Sequence, residues 1–171
     1  MASVIKCDTL KSTTGNTAIT IDESGVPQLQ VPAFRVYTST NMTLTSSSAK
    51  TVEYDLATFN THPEWFNTST HRYTPRIAGY YHIIYNVSIS GSSATNYYSF
   101  LVTQAGAVSQ IRWTGTTSST TLFRHNGSDL IYFDGTTNNY VEHQVNFIGS
   151  SATLSAAEST TYMAGFLVGA A

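Results

Sequence analysis

The sequence has little charge and a single cysteine. Only 11% of its 171 residues are charged, against about 25% in ordinary globular proteins. The eight lysines and arginines are scattered along the chain, and the formal net charge is −2. A chain without a basic cluster lacks the electrostatic footprint of proteins that bind nucleic acids or acidic membranes. We therefore expect neither nucleic acid nor membrane among its partners.

The sequence also lacks a pair of cysteines for a disulfide and any long hydrophobic segment. The lone Cys7 excludes a disulfide within the chain. No stretch approaches the ~18 consecutive apolar residues of a membrane-spanning helix. The first residues contain Lys6 but no apolar core of a signal peptide. The sequence predicts synthesis in a cytoplasm without signal-directed export.

Signatures of catalysis and of metal binding are absent as well. The five histidines show no His-x-x-x-His or His-x-His spacing, and no Gly-x-Ser-x-Gly or phosphate-binding glycine loop occurs. We expect no enzymatic activity, no resident metal and no cofactor. Asp129, Asp134 and Asn126 offer oxygen ligands of the kind that calcium prefers, but residues typical of turns account for them more simply.

Hydroxyls, amides and aromatic rings dominate what is present, in short alternating runs. Residues 80–90 place apolar side chains at every odd position, and no helical period persists for ten residues. We assign one core-facing set on residues 96–105 and another on residues 140–148, namely Tyr98, Phe100 and Val102, and Val141, His143, Val145 and Phe147. Hairpin turns are expected at residues 91–93, 105–107, 125–128 and 134–136. The sequence predicts an all-β domain of two packed sheets.

The first 32 residues differ from the rest. They contain two short β-like pieces with too few large apolar side chains to fold alone. We interpret residues 1–32 as an extended β-arm, ordered by docking or strand exchange, and residues 33–171 as the folded domain. The expected anchor side chains are Val4, Ile5, Leu10, Ile19 and Ile21.

Three segments in order resemble a known family. The spacing of Tyr54, Asn60, Phe66, Tyr73, Gly79, Tyr81 and Tyr85, the hairpin at residues 130–145 and the closing run at residues 164–168 resemble the C1q/TNF-like head domains. The resemblance implies a two-sheet jelly roll that works as a homotrimer. The opening ten residues resemble the leaders of tailed-phage fibre and appendage proteins, particularly those of phages of aquatic bacteria, which implies a place on the virion surface, on tail, neck or capsid.

These inferences lead to two sets of expected site residues. The core or trimer axis is expected to contain Tyr81, Tyr85, Tyr98, Phe100, Tyr162 and Phe166, and a ligand site on the loops is expected to contain Tyr97, Trp113, Tyr140, Asn138 and Asn139. We expect an attachment protein that binds virion proteins through its arm and a host surface glycan or protein through its head. The alternatives are a decoration protein without a receptor, and, with less support, a glycan-degrading enzyme.

Overall fold

The computed structural model describes residues 9–11, 17–21, 23–29, 31–45, 47–104, 106–114 and 121–170. The chain divides into two compact units, Met1–Val31 and Pro32–Ala171. Regular structure in the described residues is β-strand apart from one 3-10 turn at Pro63–Trp65. None of the described helical segments has the length or apolar character to cross a membrane.

The N-terminal unit contains three antiparallel strands. They are β1 (Thr9–Lys11), β2 (Thr17–Ile21) and β3 (Pro27–Leu29), with β2 in the middle. The sequence predicts strands that need a partner outside the unit, but here their backbones pair with one another. Ile19 and Ile21 lie half-buried on β2, and Leu10 lies in β1. Val4 and Ile5 lie outside the described residues, so the anchor role stays a prediction.

The second unit is a sandwich of eleven strands. They are β4 (Ala33–Tyr37), β5 (Met42–Leu44), β6 (Lys50–Thr51), β7 (Leu56–Asn60), β8 (Phe66–Asn67), β9 (Arg72–Tyr73), β10 (Gly79–Thr103), β11 (Gly106–Thr114), β12 (Thr121–Phe133), β13 (Val141–Leu154) and β14 (Tyr162–Ala170). All of their pairings are antiparallel. The predicted all-β, two-sheet architecture is confirmed.

The long strand β10 belongs to both sheets. Its first half pairs with β12 and β14, and β4 and β7 extend this first sheet beyond β14. Its second half pairs with β11 and β13 in the second sheet, which β5, β6 and β9 extend. The turns predicted at residues 91–93 and 125–128 are wrong, because both segments continue as paired strand. Backbone pairing with neighbouring strands here overrides the turn preference of glycine and asparagine.

The core lies between the two sheets and is rich in aromatic rings. Tyr81 and Phe133 of the first sheet meet edge to face at 5.4 Å between ring centroids. Tyr73 lies 6.3 Å from Tyr81 and stacks on Phe34 at 3.8 Å. These four side chains are at most 1% exposed. The aromatic chain therefore joins strands that are far apart in the sequence.

Gly165 of β14 lies directly against this core. A methyl group at this position would lie 2.6 Å from Cδ1 of Ile83 and 2.8 Å from Cε1 of Phe34. Both neighbours are fully buried, so neither can move without disturbing the packing. Gly169 on the same strand has no atom within 4 Å of such a methyl group.

We expect Gly165→Ala to lower the free energy of unfolding by about 1–3 kcal/mol, the usual cost of overpacking a core. The measurement is a urea unfolding curve monitored by intrinsic fluorescence. Gly169→Ala is the matched control and should leave the midpoint nearly unchanged. Equal midpoints for the two variants would contradict the packing described at Gly165.

Candidate functional site

An exposed apolar surface covers one end of the first sheet. Five large side chains on three adjacent strands remain 42–57% exposed. They are Tyr80 on β10, Leu130 and Tyr132 on β12, and Phe166 and Val168 on β14. We call this set the aromatic face. Its members are neighbours because the strands place Tyr80 opposite Tyr132, and His82 opposite both Leu130 and Phe166.

Aromatic rings contact one another within the aromatic face and at its boundary with His82. Tyr80 and Tyr132 lie 5.3 Å apart, and the imidazole of His82 meets Phe166 edge to face at 5.6 Å. Further along the same sheet the outward residues become polar, with Asn86 opposite Asn126. Arg35 lies over the ring of Tyr162 at 4.0 Å. The outer surface of the first sheet thus has an apolar end and a polar end.

A groove of about 570 Å³ runs beside β12. It is lined by Thr103 and Gln104 at the end of β10, by Asp129, Leu130, Ile131 and Tyr132 of β12, and by Asn139. We call it the β12 groove. Leu130 and Tyr132 form its margin with the aromatic face.

The turn after β12 is held in one conformation. Asp134 accepts a hydrogen bond from the Thr136 N–H at 2.8 Å. Hydrogen bonds from the backbone and side chain of Thr136, and from the Asn139 side chain, lower the pKa of Asp134. Gly135 has φ of +77°, and a Cβ there would lie 3.0 Å from the Ala78 nitrogen, so this position requires glycine. The turn fixes where Asn139 stands in the groove wall.

A buried chain of hydrogen bonds crosses the core at His143. The Nδ1 atom lies 2.6 Å from the Tyr54 hydroxyl, and Nε2 lies 2.7 Å from the Ser99 hydroxyl. A neutral imidazole donates to one of these hydroxyls and accepts from the other. All three side chains are 0% exposed, so no substrate reaches Ser99. This arrangement is a core hydrogen-bond network and not a nucleophile with its base.

The expected trimer residues do not share one surface. Tyr81 and Tyr85 are fully buried inside the subunit. Tyr162 and Phe166 face outward from the first sheet. Tyr98 and Phe100 are half-buried on the outer side of the second sheet, because its core side carries Tyr97, Ser99 and Leu101, all 0% exposed. The core face assigned to residues 96–105 is therefore wrong by one residue, which reverses every side chain of a strand.

The expected ligand residues are also dispersed. Tyr97 is fully buried against Phe147 at 5.4 Å, so it cannot serve as a surface platform. Tyr140 is half-buried under the guanidinium of Arg72 at 3.8 Å. Asn138 is exposed, and Asn139 lines the β12 groove. Trp113 lies on β11, and its side chain is outside the description.

The suggested calcium ligands do not form a site together. Asn126 lines a separate hollow of about 270 Å³ with His82 and Tyr162, whereas Asp129 lines the β12 groove. The carboxylate of Asp134 is occupied by its own turn. Within the described ranges, no three histidine, cysteine or acidic side chains cluster as metal ligands.

Sequence reasoning missed most of the aromatic face, although a signal for it exists. A strand with one buried and one solvent-exposed face alternates between apolar and polar residues. That alternation fails at Tyr80-Tyr81, at Ile131-Tyr132-Phe133 and at Phe166-Leu167-Val168, where apolar residues are consecutive. Consecutive apolar residues on adjacent strands indicate a second covered surface. No local sequence pattern distinguishes Gln104, which lines the groove.

Solved structures of known proteins share this architecture over most of the chain. The tumour necrosis factor Eiger of S. frugiperda matches with a TM-score of 0.64 at 10% identity, covering 82% of this chain and 94% of that one. Murine APRIL matches with a TM-score of 0.61 at 6% identity, covering 81% and 99%. The globular domain of zebrafish complement 1qA matches with a TM-score of 0.57 at 14% identity, covering 82% and 99%.

The fold is a C1q/TNF-like jelly roll. No protein-family model and no curated protein sequence matches the chain. At these identities the likeness establishes the jelly-roll fold alone. It confirms the fold that the sequence resemblance implied, and it gives no indication of a phage setting.

Because His143 is buried in the core, we expect the stability of the jelly roll to depend on pH. Burial, and then the nearby His125, lowers the pKa of His143 to about 3, whereas the unfolded chain takes up this proton near pH 6.5. Unfolding therefore takes up a proton between these pH values. The free energy of unfolding falls by roughly 1 kcal/mol for each unit that the pH drops in this window. Above about pH 6.5 this contribution is constant.

Urea unfolding between pH 4 and pH 7 checks this dependence. We expect His143→Gln to be less stable at pH 7 but to show a shallower slope with pH, because it removes the titrating group. Val145→Ala is the control, since it weakens the same core strand and keeps the slope. An undiminished slope in His143→Gln would show that another group is responsible.

Proposed function

We propose that this chain is a trimeric, non-catalytic attachment protein of a virion surface. Its jelly-roll heads associate through the aromatic face, its N-terminal unit anchors to other virion proteins, and its head binds a host surface. The observation that carries the proposal is the aromatic face itself. Soluble monomers rarely leave a contiguous apolar surface of this kind in water.

Burial of the aromatic face gives a driving force for association. Removing apolar surface from water is worth about 25 cal/mol per Å², and large side chains such as Tyr, Phe and Leu supply most of that area. Association must also offset an estimated 4–15 kcal/mol of lost translational and rotational freedom. Five half-exposed large side chains per subunit are the kind of surface that meets this cost. The number three is supported by the C1q/TNF-like resemblance.

The virion setting is supported by the resemblance of the first ten residues to phage fibre leaders. A separate N-terminal unit with a small sheet is suited to be an anchor, because the edge of a sheet presents backbone N–H and C=O groups with which a strand of another chain can pair. Three heads on one rigid trimer multiply weak contacts by avidity, typically by about 10²–10⁴.

We expect the purified chain to sediment as a trimer at micromolar concentration and Phe166→Glu or Val168→Glu to sediment as a monomer. Each introduced carboxylate would have to be buried in the apolar contact at a cost of several kcal/mol. Val26→Glu is the matched control, because Val26 is 49% exposed but lies in the N-terminal unit. A monomeric native chain would refute the association.

We expect deletion of residues 1–31 to leave a folded trimer that no longer joins the particle. Circular dichroism and sedimentation report on the head, and immunoblots of purified particles report on incorporation, with the full-length chain in parallel. Normal copy number for the shortened chain would place the anchor elsewhere. Absence of the full-length chain from purified particles would refute the virion assignment.

A further inference from the structure

We propose that the β12 groove binds a neutral saccharide unit. The Asp129 carboxylate and the side-chain amides of Gln104 and Asn139 would form hydrogen bonds with its hydroxyl groups, and the Tyr132 ring would pack against its apolar face. The proposal rests on the attachment function above and names the ligand class of the head. It assigns the site to the edge of the first sheet and shares Asn139 with the expected loop site.

The Asp129 carboxylate is oriented so that it can accept hydrogen bonds from hydroxyl groups. One of its oxygens accepts the Leu130 N–H at 2.8 Å, which fixes the orientation of the side chain. This is its sole protein donor among the described residues. Asp129 is half-buried, and a carboxylate in a groove wall makes stronger hydrogen bonds to hydroxyls than a neutral acceptor does.

The apolar wall of the groove suits the carbon face of a sugar ring. In the single subunit Tyr132 is 47% exposed and Leu130 is 54% exposed. Both lie on β12, with Tyr80 and Phe166 on one side of them and the groove on the other, so the proposed association covers the side toward Phe166 and leaves the groove side open. Tyr80 supports the Tyr132 ring from the neighbouring strand at 5.3 Å. An exposed aromatic ring beside a few fixed polar groups is the usual composition of a small-molecule site.

The polar part of the wall is formed before any ligand arrives. Asn139 belongs to the turn that Asp134 and Gly135 hold in place. A group already fixed in position loses little conformational freedom on binding. A volume of about 570 Å³ is within the range of small-molecule sites.

Charge selects the ligand class. Among the side chains that the structure describes, Asp129 is the one charged group that lines the groove, and no described lysine, arginine or histidine does so. An anionic sugar or a phosphate would meet repulsion without a compensating cation. A bound cation would find a single carboxylate, whereas calcium takes six to eight oxygen ligands. A neutral polyhydroxyl compound satisfies the carboxylate, the amides and the ring together.

Saturation-transfer NMR on the full-length chain tests the proposal. The probes are glucose, galactose, mannose and N-acetylglucosamine, with N-acetylneuraminic acid as the anionic comparison. We expect at least one neutral sugar to bind at millimolar concentration and the anionic sugar not to bind.

Asp129→Asn should weaken binding about tenfold or more, since a charged acceptor is lost while the amide oxygen still accepts from Leu130. Gln104→Ala should weaken it several-fold, and Glu64→Gln, an exposed acid remote from the groove, should not change it.

Three results would overturn the assignment: no neutral sugar bound, native affinity retained in both Asp129→Asn and Gln104→Ala, or a preference for the anionic sugar. Sedimentation of the same samples keeps the two proposals separate. A trimer that binds none of the neutral sugars refutes the groove and leaves the assembly intact. A monomer that binds a sugar in an Asp129-dependent way supports the groove and refutes the trimer.

Discussion

Backbone pairing along β10 determines the rest of the structure. Its 25 residues pair with four other strands, two in each sheet. Because successive side chains of a strand point to opposite faces, each pairing fixes which residues of the partner face the core. Tyr81 and Ile131 point inward, so Tyr80 and Tyr132 must point outward. The core and the aromatic face are therefore two consequences of one register.

Much of the fold follows from sequence patterns that are local. The odd residues of the segment 80–90 are buried as the alternation predicts, and so are Val141, His143, Val145 and Phe147. The turn at Asp134-Gly135 forms because glycine tolerates the positive φ that the backbone needs there. These features depend on neighbours within a few residues, which is why the sequence alone predicts them.

The features that sequence reasoning missed depend on distant partners. Residues 96–105 are apolar on both sides, with Tyr97 beside Tyr98 and Leu101 beside Val102, so alternation cannot choose the core side. The odd positions that are buried in residues 81–89 are buried again at Tyr97, Ser99 and Leu101, so the continuity of β10 through both sheets decides the core side. The groove likewise gathers Gln104, Asp129 and Asn139 from three separate elements.

The scarcity of charge explains why the outer surface uses tyrosine. A face that is exposed before assembly and covered afterwards must be compatible with water and with an apolar contact. Tyr80 and Tyr132 fulfil both conditions, because a phenol ring buries a large apolar area while its hydroxyl keeps a hydrogen bond. With 11 tyrosines and abundant serine, threonine and asparagine, the chain gains solubility from neutral polar groups. Such groups carry no net field to attract charged partners, so the proposed recognition at the β12 edge combines the single carboxylate of Asp129 with amides and an aromatic ring. The same strand that orders the aromatic face also holds Asp129 at the groove.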